Sequence, residues 1–253
     1  SELRSPVDAA MLALVRQVTS IDRARPRIHV KLTFDKIAAS VKGNPWLTYY
    51  GCRFAWDNES AAITRSVMGQ AAGFRSERFE SPDYVEVSDP DQRVVIATHG
   101  RPYHRRSGSR MIDSLLIVEG EPSREFEFTI DFEQSFPLRT AVDAMTPAIV
   151  NETSGTLPTS LPSSWVLGLS ARNVELVHSA VRSVTEKSGE EISLLLAETE
   201  GITVKCLIRT ARRPTAAFLV NADRSNKIVA EITDQGVVAE LTAFQVKEVL
   251  LIL

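Results

Sequence analysis

Apolar and polar residues alternate along most of this chain. Ile28, Val30, Leu32 and Phe34 interleave with Arg27, His29, Lys31 and Thr33, the period of two required by a strand with one buried face. The alternation recurs at Tyr84–Val87, Arg93–Thr98, Leu115–Glu119 and Glu125–Phe132, where Phe126, Phe128, Ile130 and Phe132 share one face. Turn signals separate these runs: Ser81-Pro82-Asp83, Asp89-Pro90-Asp91, Ser107-Gly108-Ser109 and Gly120-Glu121-Pro122. The N-terminal segment reads differently. Ser5 as a cap, Pro6 at the first helical position and Asp8 three residues on precede an apolar face of Ala9, Met11, Leu12, Leu14 and Val15. This predicts one short helix over Pro6–Val18.

Met145–Ser164 is rich in Pro, Thr and Ser and holds little periodicity, so it reads as an extended connector. Beyond it the alternation resumes at Val174–His178, Glu191–Ala197, Ile202–Thr210, Ala216–Asn221, Ile228–Ile232, Val237–Leu241 and Val246–Leu253. Ser188-Gly189 and Asp234-Gln235-Gly236 supply hairpin turns. The last strand, ending Val249-Leu250-Leu251-Ile252-Leu253, is too apolar for an exposed edge and is expected inside a sheet. The expected fold is all-β. An N-terminal helix plus a large antiparallel sandwich occupies 1–148, a connector 149–164, and a smaller antiparallel sandwich 165–253.

Composition removes some function classes. Charged residues are 24% of the 253, with a formal net charge of −3, so bulk electrostatics draws the chain to neither nucleic acid nor membrane. No apolar run approaches the roughly 20 residues that span a bilayer, and no secretory leader is visible, which points to the cytoplasm. Cys52 and Cys206, far apart among strand-forming residues, fit buried free thiols first and a disulfide second. An opening Ser1 in place of Met fits a processed or excised piece.

Candidate chemistry is sparse. His29, His99, His104 and His178 lack the spacing of a zinc motif. Arg neighbours around His99 and His104 oppose a divalent cation. No phosphate-binding Gly loop or nucleophile elbow is present. Asp57, Glu59 and Asp113 fit turn-capping acids, and spacing sets no pair of carboxylates at a catalytic separation. Asn58-Glu59-Ser60 and Asn151-Glu152-Thr153 match the glycosylation pattern, read as chance without a sign of secretion. Two segments hold more. Asn44–Trp56, the densest aromatic cluster, suits either a sandwich core or a face that stacks on sugar C–H groups, and Arg53 inside it needs a partner. Tyr103, His104, Arg105 and Arg106 form either a ligand or interdomain contact or a solvated loop.

Three stretches resemble the C-terminal β region of glycoside hydrolase family 38, the α-mannosidases. Tyr49–Trp56 is similar to an RFAW-type strand. Gly100–Arg106 with its continuation resembles a Gly-x-Pro-aromatic-His-Arg pattern followed by a strand and a Gly-Glu turn. Ser193–Gly201 with Ala217–Asp223 and Phe244–Leu253 resembles the family's terminal sandwich, where a Leu-x-Glu-x-x-Gly strand precedes a final Glu-aliphatic strand. The likeness runs from about Trp46 to the C-terminus; the Met145–Ser164 connector departs from it. The resemblance implies a non-catalytic region with no cofactor of its own. The aspartate nucleophile and zinc would belong to an N-terminal catalytic domain of the same polypeptide, which nothing in this chain matches. It also implies that a loop of Tyr103, His104, Arg105 and Arg106 reaches substrate; the aromatic cluster adds Arg53 and Trp56 as expected sugar contacts. The other readings are an autonomous carbohydrate-binding module using Trp46, Tyr49, Tyr50 and Trp56, and a mutarotase-like epimerase pairing His99 or His104 with Glu86 or Glu119. An exposed interdomain face would favour homo-oligomers.

Overall fold

A computed structural model describes residues 1–38, 41–146, 167–184, 189–221 and 226–253. Residues 149–164 of the expected connector, with Asn151-Glu152-Thr153, and Ser188 of the expected hairpin turn lie outside them, while Met145 ends a helix. The chain divides into two compact units, Ser1–Pro147 and Ala148–Leu253.

The first unit holds β1 (Glu2–Arg4), β2 (Met11–Asp22), β3 (Arg27–Ile37), β4 (Tyr50–Ala55), β5 (Ala62–Val67), β6 (Gln70–Gly73) and β7 (Arg78–Glu80). It continues with β8 (Tyr84–Ser88), β9 (Arg93–Ala97), β10 (Tyr103–Gly108), β11 (Met111–Ile117), β12 (Glu125–Phe132) and α1 (Pro137–Met145). An eight-stranded sheet in the order β1-β2-β3-β12-β9-β8-β5-β6 faces a four-stranded sheet, β4-β11-β10-β7. Between them pack Leu32, Phe34, Ile96, Phe126 and Phe128 from the larger sheet and Phe79, Ile112, Leu116 and Ile117 from the smaller. On the other face of the large sheet, Leu138 and Ala141 of α1 cover Tyr84, Val95 and Ala97.

The one helix among the described residues is therefore at Pro137–Met145, and the segment expected to be helical is a turn followed by the strand β2. Its cap-like residues make a reverse turn instead. Val7 N–H donates to Ser5 Oγ (3.3 Å), Ala10 N–H to Asp8 Oδ1 (3.1 Å), and Ala9 adopts φ 58°. The same side-chain-to-backbone bonds start helices and close turns. What decides is the β-branched tail Val15, Val18, Thr19 and Ile21, which pairs with β3 along its length.

The second unit holds β13 (Leu167–Leu169), β14 (Val174–Val184), β15 (Gly189–Glu198), β16 (Val204–Thr210), β17 (Ala216–Asn221), β18 (Lys227–Val229), β19 (Glu231–Thr233), β20 (Gly236–Leu241) and β21 (Val246–Ile252). Among the described residues these form a four-stranded sheet, β13-β16-β20-β19, and a five-stranded one, β14-β15-β21-β17-β18. Leu194, Leu196, Ile208, Leu241, Val249 and Leu251 are central in its core. The apolar β21 sits between β15 and β17, where its unexposed Leu251 and Val249 demand. The whole is an all-β fold of antiparallel sandwiches with one short helix. Cys52 and Cys206 are free. No helix among the described residues is long and apolar enough to cross a membrane.

Gly236 closes the β19–β20 hairpin at φ 139°, and a Cβ there would stand 2.3 Å from the Ile208 carbonyl oxygen. That obstacle is backbone of a paired strand and has nowhere to move. Gly236→Ala is expected to cost about 3 kcal/mol, read as a lower denaturant midpoint for the second unit.

Candidate functional site

The outer face of the small sheet of unit 1 carries the densest polar chemistry. Pairing sets Arg53 beside Asp113, Asp113 beside Arg105, and Arg105 beside Arg78, one residue from each strand. Tyr103–Arg106 is thus not a loop. It is part of β10, an inner strand of its sheet, and alternation points Arg105 outward while His104 points into the core.

Asp113 organises the row. Arg53 donates twice, Nε to Oδ1 at 2.6 Å and Nη2 to Oδ2 at 2.9 Å, and the Tyr49 hydroxyl donates to Oδ2 at 2.8 Å. Asp113 is only 3% exposed. Burial works to raise its pKa, but the bonds from Arg53 and Tyr49 outweigh it and hold the carboxyl below its ordinary value. Tyr49 is pushed the other way, first by burial and then by donating to Asp113. Gly51 makes room: a Cβ there would come 3.1 Å from the Tyr49 ring. Arg105 bonds Glu77 Oε1 through Nε at 2.8 Å and the Trp46 carbonyl through Nη1 at 3.2 Å. Leu47, Tyr49, Gly51, Arg53, Arg105 and Asp113 together enclose a recess of about 450 Å³.

The structure therefore brings Arg53 and Arg105 together and leaves the four other candidates elsewhere. His104 is fully buried, stacked on Phe79 at 5.2 Å, with Nδ1 2.9 Å from Ser114 Oγ and Nε2 3.2 Å from the Ser81 carbonyl. Burial drives its pKa down to about 4. Arg106 bonds the Ser109 carbonyl within its own turn. Trp56 packs against the core, its Nε1 without a hydrogen-bond partner, and lines a separate 500 Å³ cleft with Phe54, Ile96 and Phe132. Tyr103 is half exposed and meets Trp46 edge-to-face.

The Asn44–Trp56 aromatics do not form one platform, because strand alternation divides them. Tyr50 enters the core and donates to the Leu12 carbonyl at 3.0 Å, while Tyr49 and Trp46 lie on the outer side. The histidines and acids of the epimerase reading also separate. His99 Nε2 lies 2.9 Å and His29 Nδ1 3.1 Å from the Thr129 hydroxyl, Glu86 pairs with Arg93 at 2.7 Å, and Glu119 accepts the Gly43 N–H at 2.9 Å. No group of three or more His, Cys, Asp or Glu among the described residues could hold a metal ion. Sequence reasoning offered Tyr49 only as a stacking aromatic, and it missed Glu77 and the organising role of Asp113. The available signal was one acid, Asp113, inside the apolar run Met111–Ile117.

No protein-family profile matches the sequence. No curated protein matches it either. Solved structures do resemble the fold. An alpha-mannosidase from Enterococcus faecalis V583 superposes with a TM-score of 0.65 at 11% identity over 94% of this chain and 28% of that one. A protein in glycosyl hydrolase family 38 from Enterococcus faecalis gives 0.66 at 11% identity, over 94% of this chain and 29% of that one. At such identity the likeness is one of fold, and this chain spans less than a third of the length of either protein.

Proposed function

We propose that this chain is a non-catalytic β region of an α-mannosidase-like glycoside hydrolase. It packs on an N-terminal catalytic domain of the same polypeptide and offers outer substrate contacts from the Arg53–Asp113–Arg105 face. The observation that carries the reading is the fold likeness, which takes in nearly all of this chain yet only a 28% share of the mannosidase chain. The chemistry of the face agrees. A carboxylate that is to act as nucleophile or general acid needs a free oxygen and a pKa near its task. Asp113 has three donors on its two oxygens and a lowered pKa, so it positions Arg53 and Tyr49 and is no acid or base. Zinc and the nucleophile belong to the catalytic domain in this account.

Arg105 is the residue to test. It is part-buried, its planar fork suits a pair of sugar hydroxyls, and losing it frees the exposed Glu77 carboxylate and the Trp46 carbonyl. In the polypeptide proposed to carry this chain, Arg105→Ala should raise KM for an aryl α-mannoside about fivefold or more with kcat within about twofold. Arg105→Lys should recover only part of the loss. An unchanged KM in a folded Arg105→Ala enzyme would remove the substrate-contact half of the reading.

A further inference from the structure

A second hollow lies on the same outer face, beside the Asp113 recess. The Asn44 side chain accepts the Trp46 N–H at 2.9 Å, and the Arg105 guanidinium holds the Trp46 carbonyl at 3.2 Å. Those two bonds fix the loop over the sheet and stand the Trp46 ring edge-to-face against Tyr103, centroids 6.0 Å apart at 89°. Pro45 and Pro102 flank the rings, and Leu115 forms part of an apolar floor in a cleft of about 480 Å³. That size falls within the roughly 300–1,000 Å³ of small-molecule sites.

Three polar groups of this cleft are uncommitted. Among the described residues, the Glu80 carboxylate, the Tyr103 hydroxyl and the Trp46 indole N–H have no hydrogen-bond or ion-pair partner. Across the cleft Arg101 and Glu121 form a loose pair at 3.7 Å, with the Arg101 guanidinium 4.6 Å over the Phe126 ring. The charges select the ligand. Glu80 and Glu121 oppose an anion, while Arg101, and Arg78 lying 5.9 Å over Trp46, oppose a cation. A neutral ligand must then satisfy an acceptor-only carboxylate and a donor-only indole at once, and hydroxyl groups do both. An apolar ring face completes the match to Trp46 and Tyr103.

We infer that the Trp46–Tyr103 cleft is a subsite for a neutral pyranose of a saccharide. The sugar's C–H face rests on one of the two perpendicular rings and its edge meets the other, Glu80 accepts from its hydroxyls, and Tyr103 and Trp46 donate to them. The inference deepens the function proposed above and rests on it for the source of the sugar, while the contact itself depends only on the cleft.

The test is titration of this chain with methyl α-mannopyranoside, methyl glucoside and methyl galactoside, followed by tryptophan fluorescence and calorimetry. Glucosamine and glucuronate serve as cationic and anionic counterparts. The expected result is saturable binding of at least one neutral glycoside with Kd on the order of 1 mM. Both charged sugars should bind more weakly. Tyr103→Ala and Glu80→Gln, both at exposed positions, should each weaken binding about tenfold with an unchanged melting transition. No saturable binding by any neutral glycoside, or binding indifferent to both substitutions, overturns the subsite. If the parent polypeptide hydrolyses mannosides while this chain binds no sugar, the subsite alone fails. If sugar binds here and the parent has no such activity, the accessory reading fails and the subsite stands.

Discussion

Glu198→Ala is expected to destabilise the second unit by about 4 kcal/mol, the largest loss from any single carboxylate in that unit. The side chain is fully buried and its oxygens are saturated. Oε1 accepts Asn173 Nδ2 and the Glu200 N–H, both at 2.9 Å, and Oε2 accepts the N–H groups of Gly201 and Phe244, both at 2.8 Å. One carboxylate thus ties the end of β15 to the turn that starts β21. Truncation strands one buried and three partly buried donors, and Glu198→Gln still turns an N–H₂ toward one pair of them, so it should cost about 3 kcal/mol. Gly201 belongs to the same device, since at φ 75° its Cβ would fall 2.7 Å from the Phe244 ring. The Leu196-x-Glu198-x-x-Gly201 pattern is therefore structural. Burial raises the Glu198 pKa, and the backbone bonds from Phe244 and Glu200 outweigh that, leaving it lowered. A depressed carboxyl stabilises above its unfolded pKa and loses that contribution as pH falls through the folded value. Denaturant titration decides: a loss under about 1 kcal/mol for Glu198→Ala would contradict the arrangement.

Acidification should weaken the first unit through its buried imidazole. His104 is buried neutral, its pKa lowered from 6.5 to about 4. The unfolded chain therefore binds the proton first, so stability is complete above 6.5 and drains away as pH falls toward 4. At about 1.4 kcal/mol per unit, the loss at the bottom of that window is about 3 kcal/mol. His99, also lowered by burial, adds to the same window, so wild-type melting alone does not apportion the effect. His104→Gln keeps a donor and an acceptor for Ser114 and Ser81 but cannot titrate. Melting followed from pH 7 to 4.5 should show a distinctly shallower acid slope for the variant; equal slopes would contradict a neutral buried imidazole.

Where burial falls on alternate residues, the sequence was legible. Glu125–Phe132 and Ala216–Asn221 form strands with the bounds their alternation predicts, and the last apolar run lies inside its sheet. The errors have specific causes. Ser5, Pro6 and Asp8 cap a helix and close a hairpin with the same bonds, so only pairing with β3 separates the two. β10 was hidden because its inward position is His104, packed against Ser114, where a strand pattern expects an aliphatic residue. The helix at Pro137–Met145 carried its own signal in Pro137 at the first turn and in Leu138 and Ala141 three apart. Arg53 announced its need for a partner. The partner, Asp113, is 60 residues away and arrives only through β4–β11 pairing. Contacts of that range are set by register, which no local pattern encodes.

The most direct test of the central claim is hydrolysis of an aryl α-mannoside with zinc supplied. It compares the polypeptide proposed to carry this chain with the chain alone. The account predicts chelator-sensitive turnover by the former and none by the latter. Turnover by this chain alone, or by neither protein, would contradict it.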